Sequence, residues 1–131
     1  MGYRSDVAIL FTLPDNIPTE QVLKELQACL NGMTLYDGKP ETLDWIFNEI
    51  KVDEEEHLIQ LFAGDIKWYT GCSGYEDINN IMAYIHSFTD KYEDGGYHFV
   101  RIGESIEDVE EEFDGDDIKW LGINRSIDLA I

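Results

Sequence analysis

YHFVRIGESIEDVEEEFDGDD, residues Tyr97–Asp117, couples a short apolar strand to an acidic segment. From Ile102 to Asp117 there are nine carboxylates and no Lys or Arg. Its apolar residues keep a helical spacing nonetheless, with Ile106, Val109 and Phe113 at i, i+3 and i+7. That spacing predicts a short helix, one face on the core and the other covered in carboxylate. Glu104, Glu107, Asp108, Glu111, Glu112, Asp114, Asp116 and Asp117 are therefore candidate residues for contact with a partner.

The rest of the chain supplies a core for such a helix to rest on. Its 131 residues suit one domain, 1–131, which at this size buries roughly two thirds of its unfolded surface. A content of 44% hydrophobic and 12% aromatic residues argues against a disordered acidic tail. Nine Lys and Arg against 28 Asp and Glu give a net charge of −19. Such a charge repels nucleic-acid phosphates and anionic membranes and attracts basic protein surfaces. No direct binding to nucleic acid is expected. The opening MGYRSDVAIL lacks the pattern of a secretory signal, and no apolar run approaches the roughly 20 residues of a membrane span. Two cysteines beside an adequate core read as reduced thiols, so the expected location is the cytoplasm.

Along the chain, Asp6–Leu13 carries apolar residues on both sides and reads as a central strand. A helix is expected from Pro18 or Thr19, buried through Val22, Leu26, Cys29 and Leu30 or Met33, and ended by Asn31-Gly32. Leu43–Val52 keeps a helical spacing but is short and rich in bulky residues; the strand reading is preferred, with Asp53–Glu56 as a hairpin to His57–Phe62. Ala63-Gly64-Asp65 marks a bulge or turn. Ser73 and Glu76 have capping-box spacing before a helix carrying Ile78, Ile81, Met82, Ile85 and Phe88 on one face. Tyr97–Ile102 returns as a strand, and Ile118–Ile123 and Ser126–Ile131 read as two more. The order β-α-β-β-α-β predicts an α+β, ferredoxin-like two-layer sandwich with a C-terminal acidic helix and strand extension.

MGYRSDVAI at the start, DIKWY at Asp65–Tyr69 and FVRIGESIEDVEEEF at Phe99–Phe113 resemble a group of small uncharacterised proteins encoded by tailed bacteriophages and prophages. The resemblance carries no catalytic motif. It implies a cytoplasmic setting in an infected bacterium, where small acidic proteins often act by binding and blocking host proteins.

Chemistry-bearing motifs are sparse. No helix-loop-helix calcium pattern occurs among the acidic residues, and His57, His86, His98, Cys29 and Cys72 lack paired zinc spacing, so neither metal nor cofactor is expected. Cys72 lies between a strand and a helix N-terminus, where a thiol can be activated, but nothing local supplies a base. Gly71–Gly74 lacks the Lys of a phosphate loop. Trp45, Trp68, Tyr69 and Trp120 read as core aromatics or as an exposed patch, with Trp68 and Tyr69 joining the candidate binding residues. The expected function is a non-catalytic interaction protein that binds and inhibits a host protein with a basic surface, in a nucleic-acid-handling defence system (anti-CRISPR or anti-restriction type), with nucleic-acid mimicry as one route. A small-ligand or ion-binding regulatory domain is the alternative, and a homo-oligomer is compatible with either.

Overall fold

A strand with apolar residues on both sides is stable only when both faces are covered. In the computed structural model, which describes residues 3–71, 74–105, 107–116, 118–123 and 126–131, the segment β1 (Ser5–Thr12) takes the middle place of a five-stranded sheet. After it come α1 (Thr19–Ala28), the single turn α2 (Leu43–Ile46), β2 (Glu49–Asp53), β3 (Leu58–Ile66), α3 (Glu76–Lys91), β4 (Gly96–Gly103) and β5 (Val109–Asp114). The order across the sheet is β2-β3-β1-β4-β5, and every neighbouring pair is antiparallel. Two short strands, β6 (Gly122–Ile123) and β7 (Ile127–Asp128), pair separately. The architecture is α+β. Its strand order departs from the expected four-stranded ferredoxin-like sheet, because a fifth strand occupies the place where an acidic helix was expected.

One sheet face carries the helices. Val7, Ile9 and Phe11 of β1, Ile59 and Leu61 of β3 and Phe99 of β4 pack against Val22 and Leu26 of α1. The same layer takes the whole predicted stripe of α3: Ile78, Ile81, Met82, Ile85 and Phe88 are all buried. The other face has a smaller apolar layer of Ala8, Leu10, Leu58, Val100 and Leu121, with Phe62, Ile127 and Leu129 packed against it. Its cover is the C-terminal segment, which has little regular structure of its own.

Two buried polar side chains fasten that cover. In the register Leu10 stands opposite both Gln60 and His98, so the two polar residues flank it on one face. Gln60 Oε1 accepts the N–H groups of Ala130 at 2.8 Å and Ile131 at 3.0 Å. His98 Nδ1 accepts the Leu121 N–H at 3.0 Å. Accepting there puts the ring hydrogen on Nε2, which donates to Glu111 Oε2 at 2.5 Å.

The acidic segment is a strand for a physical reason. As a helix it would stack Glu107 over Glu111 and Asp108 over Glu112, like charges four residues apart, each pair destabilising. As a strand it places Glu110 opposite Arg101 and alternates Val109, Glu111 and Phe113 on one face with Glu110, Glu112 and Asp114 on the other. Period two, carried by Val109 and Phe113, prevails over the apparent helical spacing. Ile106, the first member of that stripe, lies outside the described residues.

Smaller differences also have causes. Leu43–Val52 divides, its first half a helical turn and its second half β2. Helix α1 stops at Ala28, short of Asn31-Gly32, and Cys29 is only half-buried. Helix α3 begins at Glu76 with Tyr75 before it, so Glu76 lies in the first position rather than the third; it accepts the Gly74 N–H at 3.1 Å. Ser73 of the expected capping box lies outside the described residues. Ala63–Asp65, by contrast, is the irregularity expected of a bulge: it stays within β3, the register to β1 shifts there, and Asp65 takes φ +53°.

Replacing Gln60 with Ala strips the acceptor from two backbone N–H groups and should destabilise the fold by about 1–3 kcal/mol. In a urea titration with hydrogen exchange, Ala130 and Ile131 amides should lose more protection than Phe99. Equal loss at the three positions would show that apolar contact alone holds the cover.

Candidate interaction surface

Strand β5 forms one edge of the sheet, and the carboxylates picked out from the sequence gather along it and its connecting turn. They do not form a free acidic face. The Arg101 guanidinium donates from Nη2 to Asp108 Oδ1 at 2.7 Å and from Nε to Glu110 Oε1 at 2.9 Å. Arg101, helped by the Tyr3 hydroxyl, holds the Asp108 carboxyl below its ordinary range. Glu111 is tied to His98, Glu112 faces His86 Nε2 at 2.8 Å, and Asp114 accepts from the Thr89 hydroxyl at 2.5 Å. Glu104 accepts the Arg4 N–H at 3.0 Å. Glu107 and Asp116 are exposed, and Asp117 lies outside the described residues.

The aromatic candidates divide as sharply. Trp68 is only 5% exposed and packs with Phe47 and Phe99, so it belongs to the core. The Tyr69 hydroxyl accepts the Tyr3 N–H at 2.7 Å and donates to the Tyr3 carbonyl at 3.2 Å, fastening the N-terminal arm. Exposed aromatic surface lies elsewhere. Phe113 is 56% and Trp120 52% exposed, and their rings meet edge-on at 4.9 Å. Buried His98 supports the pair from beneath, 4.8 Å from Trp120 and 6.4 Å from Phe113. Phe113 was expected in the core; strand alternation puts it on the surface instead. Trp120 was one of four aromatics with two readings, and only the tertiary packing separates it from Trp68. A period-two count over Val109–Asp114 is the sequence signal for the placement of Phe113.

The backbone of that edge is defined by register. Gly103 N–H donates to Asp108 O at 2.8 Å, which makes 103/108 a hydrogen-bonded pair. Antiparallel alternation then directs the backbone groups of Glu110, Glu112 and Asp114 to β4 and those of Val109, Glu111 and Phe113 outward. Val109 N–H turns back to Glu107 O at 3.1 Å. Among the described residues, the Val109 carbonyl and both backbone groups of Glu111 and Phe113 meet no other backbone group.

Away from β5 the chemistry is thinner. No group of three metal-binding side chains exists among the described residues. Burial pushes the Cys29 thiol up, and its Sγ donates to Glu25 O at 3.5 Å. Cys72 lies outside the described residues. A surface cleft of about 500 Å³ is lined by Trp45, Lys67, Tyr75 and Asp77 among others. Glu41, which interacts with Asp77, is 7% exposed, and its Oε2 has no hydrogen-bond donor among the described residues. Burial, reinforced by the carboxyl of Asp77, pushes Glu41 up to about 8, so it is largely protonated at neutral pH and can donate to Asp77.

No protein-family model, curated protein or solved structure gives a significant match to the chain.

Because the folded-state value for Glu41 lies above its ordinary 4.5, the folded protein binds more protons than the unfolded chain between about 4.5 and about 8. This group's contribution to stability is complete below that window and is lost as pH rises through it. Glu41→Gln keeps a neutral donor there and removes the titration. The variant's melting temperature should match wild type at pH 4.5 and exceed it increasingly towards pH 8.5. A difference that does not change with pH would show that Glu41 ionises normally.

Proposed function

We propose that this chain is a non-catalytic, phage-type acidic interaction protein that binds a host protein with a basic surface and inhibits it. The target class we infer is a nucleic-acid-handling defence protein, met in the cytoplasm of an infected bacterium. One observation carries the binding part: a carboxylate-rich sheet edge adjoins an exposed Phe113–Trp120 pair in a chain of net charge −19. Aromatic residues dominate the energetics of protein interfaces, while surrounding charge steers approach and selects the partner. The phage and host setting rests on the resemblance of MGYRSDVAI and FVRIGESIEDVEEEF to phage-encoded proteins.

Mimicry of a nucleic-acid backbone gains support from the strand geometry. Glu110, Glu111 and Glu112 supply one carboxylate per residue at a rise of about 3.4 Å, close to the ~3.4 Å axial spacing of phosphates in one DNA strand. Neighbouring carboxylates point to opposite faces, so a partner reading one face meets them at about twice that spacing. Recognition by this edge needs only a basic partner. We infer a ferredoxin-like kinship for the first four strands, and such sandwiches host too many functions for the fold to identify one. No helix among the described residues is long and apolar enough to cross a membrane.

The immobilised protein should capture a basic protein from bacterial lysate at low salt and release it at high salt, since exposed charge pairs are screened. Glu107→Gln, Glu112→Gln and Asp116→Asn together remove two exposed charges and the half-buried one that faces His86, while sparing Asp108 and Glu111, which hold Arg101 and His98. Binding titrations should show slower association and a flatter salt dependence for the triple variant, with an unchanged melting profile. An unchanged salt slope, or capture only of proteins indifferent to salt, would sink the reading.

A further inference from the structure

The geometry points to a specific docking mode, which rests on the proposed function and deepens it. The outer edge of β5 takes an extended segment of a partner protein as an added strand, one that alternates basic with apolar residues. Backbone, charge and exposed apolar surface agree on this occupant.

The backbone offers the ladder. Outward groups of Glu111 and Phe113 and the Val109 carbonyl form a row that an extended chain pairs with, as peptides do at open sheet edges. No proline or register shift interrupts β5, the devices that often blunt an edge.

Side chains then select what pairs. Glu110, Glu112 and Asp114 line one side of the edge, where residues directly opposite in an added strand interact most strongly. Lys or Arg at alternate positions complements them. Glu112 and Asp114 now face His86 and Thr89 at the exposed surface, contacts that an incoming cation can replace. On the other side Val109, 44% exposed, and Phe113, 56% exposed, present apolar surface on either side of Glu111, and the Phe113 ring meets that of Trp120. An edge charged only to prevent pairing has no need of that apolar surface. A second copy of the chain fits badly: antiparallel pairing of two β5 edges about Glu111 sets Glu110 against Glu112 and Glu111 against itself.

The test uses a capped peptide of about seven residues, strand length, alternating Lys with Val, and an isomer of the same composition with its Lys contiguous. The alternating peptide should bind about tenfold tighter than the isomer. It should protect the Glu111 and Phe113 amides from hydrogen exchange, with Glu112 unaffected. Phe113→Pro removes an outward N–H without touching the β4 ladder, and Phe113→Val keeps that N–H while losing the ring. The Pro variant should bind about tenfold more weakly than the Val variant. Protection in the wild-type protein is a readout that survives even if the Pro variant does not fold.

Equal binding of the two peptides, absence of amide protection, or no binding at all would overturn edge docking. The lysate experiment decides separately whether a basic partner exists, so a captured, salt-sensitive partner that leaves both amides unprotected would refute the docking mode alone. A concentration-dependent dimer that protects the same amides would assign the edge to a second copy and also overturn the proposal.

Discussion

Strand β1 has no solvated face. Val7, Ile9 and Phe11 on one side and Ala8 and Leu10 on the other are all fully buried, so the sheet requires two covers. Helices α1 and α3 provide one by the ordinary device of an apolar stripe. The second comes from a segment with two strands of two residues each, too little regular structure to dock by pattern. Gln60 and His98 solve this by bonding its backbone from within the sheet. Buried polar groups satisfied in this way fix one arrangement of a cover that apolar contact alone would leave to slide.

Close approach imposes a further constraint at the end of that cover. Gly96, at the start of β4, lies beneath Ile118 and beside the backbone of Asp114. A Cβ on Gly96 would collide with the Ile118 side chain and lie 2.8 Å from the Asp114 carbonyl oxygen. The absence of a side chain there is what allows the chain leaving β5 to fold back over the sheet.

His98 links this buried layer to the surface strand. One ring nitrogen receives the cover through Leu121, the other grips Glu111, and the ring itself supports the exposed Phe113–Trp120 pair. The carboxylates on and beside β5 thus divide between two tasks. Asp108, Glu110 and Glu111 neutralise or satisfy Arg101 and His98, while Glu107 and Asp116 stay exposed. A net charge of −19 remains after every internal pairing, because pairing redistributes charge without removing it.

Much of the architecture was legible in the residues. The two-sided apolar run of Asp6–Leu13 marked the central strand by its shortness and its Val, Ile, Phe and Thr content, and the spacing of Ile78, Ile81, Met82, Ile85 and Phe88 marked a helix, because both patterns are local. The composition established a cored, strongly anionic domain. Other features depended on contacts remote in sequence. Val109 and Phe113, four residues apart, satisfy helix and strand periods alike, and pairing with β4 decided between them. Trp68 and Trp120 look alike in the sequence; one is sealed beside Phe47 and Phe99, the other lies on Phe113 at the surface. The open edge itself has no sequence signature, since it is a row of backbone groups left over once every other strand has found its neighbours.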